Sequence, residues 1–250
     1  VSNPLSRNQV AAVLSLLLTA CLTGLLTGQD FRVKTEVFVE GQHLPIAENL
    51  TLFTDDAVYD FSLKGGEAAI FQPTRGRFTL LDDRRRMKTE LPLEVLGRFV
   101  ADLQAEGLKG RETFLYQPKF DVSYRAARRK LELSSDHIIY RATGAQPPDK
   151  FASAVRRYRQ FTDWTARLNT THNRLPFARL ELNRELNDRD LIPEEVERVT
   201  ISPRDPSRRV TIHSKQAFTW ELTGQDRRRI EDVQDQLSKF KFVAWSEFRP

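Results

Sequence analysis

The chain has 250 residues, of which 40% are hydrophobic and 29% charged. That balance supports a sizeable core and excludes disorder and collagen-like repeats. Lys and Arg number 39 against 34 Asp and Glu, a net charge of +5, too modest to mark a nucleic-acid protein, and a single cysteine, Cys21, excludes a disulfide framework or thiolate zinc site.

The first element is the uncharged run Val10 to Gly28, VAAVLSLLLTACLTGLLTG, preceded by a polar segment whose only charge is Arg7. This is the layout of a secretory signal, so residues 1–28 are read as a leader and 29–250 as a single α+β domain. Three fates of the leader stay open. Cleavage near Gly28-Gln29-Asp30 would release a free protein. Leu18-Thr19-Ala20-Cys21 resembles the bacterial lipobox, which makes Cys21 the candidate lipidation site. Retention would make the run an anchor, since it is just long enough to cross a bilayer. In each case the protein is expected to be exported to the periplasm or cell envelope, with membrane association only through the leader or Cys21.

Residues 31 to 91 are strand-like. FRVKTEVFV carries Phe31, Val33, Val37 and Val39 on one parity, and LTLFT, AVYDF, AAIF, RFTLL and MKTEL follow. Their separators, Asp55-Asp56, Gly65-Gly66, Pro73-Thr74-Arg75-Gly76 and Asp82-Asp83, are turn chemistry. Short strands joined by tight turns form an antiparallel meander, because parallel pairing needs long crossovers. Pro92 then opens an amphipathic helix with Leu93, Leu96, Phe99, Val100 and Leu103 at helical spacing and Gly107 as its stop.

Strand character returns from about Phe114 to Thr143 and ends at the Pro147-Pro148 break. A helix over about Asp149 to Thr170 places Phe151, Ala154, Val155, Tyr158, Phe161, Thr165 and Leu168 on one stripe. Residues 176–187 suit a short helix and VERVTIS a strand. In VTIHSKQAFTWEL the residues Val210, Ile212, Phe218, Trp220 and Leu222 share one parity, which predicts a strand with one buried and one wet face. A last helix follows Thr223-Gly224, with Ile230, Val233, Leu237 and Phe240 as its seam.

Motifs that carry chemistry are few. His43, His137, His172 and His213 lie far apart in the sequence, with no spacing that aims two imidazoles at one metal, and no GxSxG, GxxxxGK[ST] or GxGxxG occurs. Neither a metal nor another cofactor is expected. Asp55-Asp56 and Asp82-Asp83 are read as turn residues, and the arginine doublets and triplets, such as Arg84-Arg85-Arg86 and Arg227-Arg228-Arg229, as solvated faces.

A leader, a meander, a helix, further strands and further helices, with phrases such as LTLFTDDAVYDF and RFTLLDDRRRMKTEL, resemble the LolA-like lipoprotein carriers of the bacterial envelope over about residues 31–222. The resemblance implies a curved antiparallel sheet, an open half-barrel whose concave side is covered by amphipathic helices, with acyl chains received between sheet and helices. The expected function is therefore non-enzymatic binding of an apolar or lipid-like ligand or a lipoprotein. A structural or protein-interaction module, with an envelope protein as partner, is the alternative. Phe99, Leu103, Phe161, Trp164, Phe218 and Trp220 are the candidates for lining the space between sheet and helices, and a filled core is the rival reading for each.

Overall fold

The computed structural model describes residues 29–172 and 174–249. The leader, including Cys21, lies outside the described residues.

Alternating residues and tight turns build six consecutive strands: β1 (Phe31–Val39), β2 (Ala47–Phe53), β3 (Val58–Ser62), β4 (Glu67–Gln72), β5 (Arg77–Asp82) and β6 (Met87–Pro92). Each pairs antiparallel with the next. The turn residues act as their chemistry predicts. Gly76 takes φ 60 after the short turn Pro73–Arg75, a left-handed conformation that glycine adopts without a Cβ clash. Asp82 Oδ1 accepts the Arg85 backbone N–H at 2.9 Å to close the β5–β6 turn.

Helix α1 (Leu93–Gly107) follows directly, and then β7 (Asp121–Arg125), β8 (Lys130–Ser134) and β9 (Ile138–Ala145) form a second meander. Helices α2 (Ala152–Leu168) and α3 (Phe177–Asn187) come next, followed by a long hairpin of β10 (Ile192–Ser202) and β11 (Asp205–Thr219). Helix α4 (Gly224–Lys239), the two-residue β12 (Lys241–Phe242) and α5 (Trp245–Phe248) complete the described chain.

The twelve strands form one open sheet in the order β12-β6-β5-β4-β3-β2-β1-β11-β10-β9-β8-β7. All neighbours are antiparallel except β12, which runs parallel to β6. The class is thus α+β. The first strand joins the two meanders, because β1 pairs with β2 on one side and with β11 on the other.

Strand register assigns every side chain to one of two faces. Phe31, Phe53, Val58, Phe71 and Phe78 share a face with Val33 and Leu91, and on it they meet Leu93, Leu96 and Val100 of α1 and Val155, Tyr158 and Phe161 of α2. Farther along the same face, Leu131, Leu133, Tyr140 and Ala142 meet Ala178, Leu182 and Leu186 of α3. On the opposite face Leu50, Leu52, Tyr59, Ile70 and Leu81 pack against Val233 of α4 and against Phe240.

Three expectations need correction. A sheet with one apolar face does not describe β2 to β5, which are buried on both faces. Their short continuous apolar runs, such as LTLF and FTLL, are the pattern of such strands. Leu222 does not share the face of Phe218: β11 ends at Thr219, and Leu222 joins the α4 cluster instead. On α1 the buried stripe is Leu93, Leu96 and Val100; Phe99 is 44% exposed and Leu103 half-buried. A helix turns about 100° per residue, so Phe99 falls on the shoulder of that stripe. The helix ends at Gly107, as expected, and a Cβ there would lie 2.2 Å from the Tyr116 ring.

Candidate functional site

The α1–α3 face of the sheet is not filled from end to end. Near β6 to β2, aromatic rings close the space between strands and α2. Phe53 stacks on Phe31 at 4.1 Å and meets the edge of Phe161 at 5.6 Å. Towards β1, β11 and β10 the strand residues on this face become small or polar, namely Thr35, Ala47, Ser214 and Gln216. Small side chains leave room where large ones would have filled it. The result is a groove of about 610 Å³ bounded by those strands, by α2 and by the segment leading into α3. This size lies within the range of small-molecule sites.

The groove has an apolar part and a polar part. Val33, Val37, Phe53, Phe161, Ala166 and Ile212 supply apolar lining. Tyr158 and Gln216, joined by a hydrogen bond of 2.7 Å from the phenol to Gln216 Oε1, tie α2 to β11 beside them. Burial pushes the Tyr158 phenol above its ordinary pKa, so it remains a neutral donor. Arg174, Arg179 and Arg198 also line the groove, and among the described residues no Asp or Glu does.

The sequence-based candidates divide. Phe161 lines the groove. Phe218 and Trp220 belong to the aromatic core beside it: Phe218 meets the Tyr158 ring at 5.2 Å, and Trp220 stacks on Phe151 at 4.4 Å. Trp164 packs towards α1, where its ring comes within 3.7 Å of the place a Cβ on Gly97 would occupy, and the Arg167 guanidinium lies over it. Phe99 and Leu103 are not among the groove's lining residues. Phe161, Trp164, Phe218 and Trp220 are thus gathered into one cluster, but only Phe161 reaches the free space.

The three arginines and Gln216 were missed by reasoning on hydrophobic periodicity, which ranks apolar positions and passes over charged and amide ones. One signal existed. Arg198 stands two residues from Val196 in VERVTIS, so the charged residue takes the same side of the strand as a buried valine.

Other depressions are less suited to an apolar ligand. One of about 860 Å³ beside α4 mixes Lys64, Arg84, Arg228 and Arg229 with Glu67, Asp83, Glu231 and Asp232. Another, on the opposite face of the sheet from α3, is crossed by its own ion pairs, Arg141 to Glu132 at 2.8 Å and to Glu197 at 2.6 Å. Among the described residues no three His, Cys, Asp or Glu side chains converge as metal ligands.

No protein-family model matches the chain, and neither does any curated protein.

Proposed function

We propose that this chain is an exported envelope protein that binds an apolar or lipid-like ligand, or the lipid part of a lipoprotein, without chemical conversion. The observation that carries the reading is the groove between α2 and the α1–α3 face of the sheet, where the half-buried Val37, Ala47 and Ile212 of the strands face Phe161 and Ala166 of α2. The open twelve-stranded sheet with α1, α2 and α3 on one face supports a LolA-like arrangement, in which the sheet curves as a half-barrel and the helices cover its concave side. Export rests on the uncharged run Val10 to Gly28.

Binding of fluorescent fatty acids of increasing length to the purified full chain tests the reading. Each acyl CH₂ moved out of water contributes about 0.8 kcal/mol, so affinity should rise about fourfold per methylene until the groove is full. Ala47→Trp places an indole in the groove from β2 and should abolish binding while circular dichroism stays unchanged. Absence of saturable, length-dependent binding would overturn the proposal.

A protein-interaction role is the second reading. Leu44, at 79% exposed, and Ile46, at 50%, present apolar surface on the β1–β2 connection. Ile46 also lines the groove, so this surface borders it.

A further inference from the structure

The charge of the groove is one-sided, and this narrows the class of ligand. Other partly buried arginines close on carboxylates, as Arg157 does on Asp55 at 3.0 Å, Arg159 on Asp190 at 3.2 Å and Arg189 on Glu185 at 2.7 Å. Arg174 and Arg198 form no ion pair among the described residues. Among the described residues Arg179 donates only to the neutral Asn183 Oδ1, at 2.9 Å. Arg198 and Arg179 are half-buried, whereas Arg174 is exposed at the edge. A guanidinium cannot lose its proton to escape partial burial, so an arginine without a counter-charge beside an apolar space favours an incoming anion.

Asp60 lies on this face too, two strands over from Val33, but it is held by Thr51 Oγ1 at 2.8 Å and Asn49 Nδ2 at 3.1 Å and is not part of the groove lining.

We propose that the groove selects an amphiphile with an anionic head, a carboxylate or a phosphate, whose tail lies against Val37, Ile212 and Phe161 and whose charge is met by Arg174, Arg179 and Arg198. This rests on the reading of the groove as a lipid-like ligand site. Arginine recognises both anions through paired N–H donors, so the two heads share one chemistry.

The test compares probes with the same sixteen-carbon tail, namely hexadecanoate, hexadecyl phosphate, hexadecanol and hexadecyltrimethylammonium, and adds inorganic phosphate as a competitor. One or both anionic probes should bind at least about tenfold more tightly than hexadecanol, the effect of a hydrogen bond to a charged group. The tighter of the two identifies the head, fatty acid or phosphorylated lipid. The cationic probe should bind more weakly than the alcohol. Arg198→Gln should lower the ratio of hexadecanoate to hexadecanol affinity towards one. Arg174→Gln, at an exposed position where folding is not at stake, should reduce the preference in the same direction.

Equal binding of all four probes would overturn the headgroup inference and leave the apolar-ligand reading standing. Binding of none would overturn both. Competition by inorganic phosphate alone, at the affinity of the amphiphiles, would show a free-anion site and overturn the amphiphile inference.

Discussion

The Tyr158 hydroxyl donates to Gln216 Oε1 at 2.7 Å, a bond that fixes helix α2 to strand β11 at the border between the aromatic core and the open groove. On one side of it the rings of Phe218 and Phe53 pack against Tyr158; on the other the groove begins. The bond adds a polar tie to the aromatic packing that holds α2 on the sheet. Tyr158→Phe keeps the ring and removes the donor, and should cost about 1 kcal/mol in urea unfolding, the usual net worth of one hydrogen bond. Ligand affinity should fall with it, because the groove loses a polar tie that holds its wall.

Large apolar truncations should separate core from margin. Phe53 is fully buried, stacked on Phe31 and in contact with Phe161. Phe53→Ala should cost about 3 to 5 kcal/mol. Phe218 is only half-buried, so Phe218→Ala should cost clearly less in the same chemical denaturation series. Equal losses would mean that the β11 end of the core is as closed as the β2 end.

Asp60 is a carboxylate on the apolar face with hydrogen bonds and no ion pair among the described residues. Burial raises its pKa, against the opposing effect of the bonds from Thr51 and Asn49. An acid whose folded pKa lies above its unfolded value costs stability as pH rises between the two, and the cost is complete above the folded value. Asp60→Asn should therefore be neutral or stabilising at pH 7 and should flatten that part of the stability profile. Thermal melts of the two proteins across pH check this.

Asp226 has the opposite sign. It forms a capping box with Thr223 at the start of α4 and a 3.2 Å ion pair with Arg32 of β1. Burial would raise its pKa, but the Thr223 hydroxyl and N–H and the Arg32 charge outweigh it and hold the carboxyl below the usual range. Its contribution is present at neutral pH and is lost as pH falls below about 4 and through the lowered folded value. Asp226→Asn should shrink the acid limb of the stability curve. Thr223→Ala should cost about 1 kcal/mol through loss of the helix cap.

Much of the fold was legible because turn chemistry and strand alternation agree. Asp82-Asp83 and Pro73 to Gly76 are turns, and the helix starts at Pro92 and Thr223-Gly224 fall at the ends of observed helices. The placement of α4 was not legible. Its seam of Ile230, Val233, Leu237 and Phe240 requires an apolar surface, but nothing in periodicity says which face of the sheet provides it. Leu50 and Leu52 lie one residue out of phase with Thr51 and Phe53, and only strand register shows that the first pair faces α4 and the second α2. The groove was legible only in part for a related reason. Periodicity finds what fills space, as with Phe161, and cannot find the small residues that leave it open, Thr35 and Ala47 of β1 and β2 and Ser214 of the sequence-distant β11.

Photolabelling with a diazirine-bearing fatty acid, mapped by mass spectrometry on the full chain, bears most directly on the proposed site. Saturable labelling confined to residues around the groove, such as Val37, Phe161, Ala166 and Ile212, competed by unlabelled hexadecanoate and lost in Ala47→Trp, is the expected result. Labelling that is unsaturable or spread over exposed apolar residues such as Val95 and Phe242 would contradict a ligand site between α2 and the sheet.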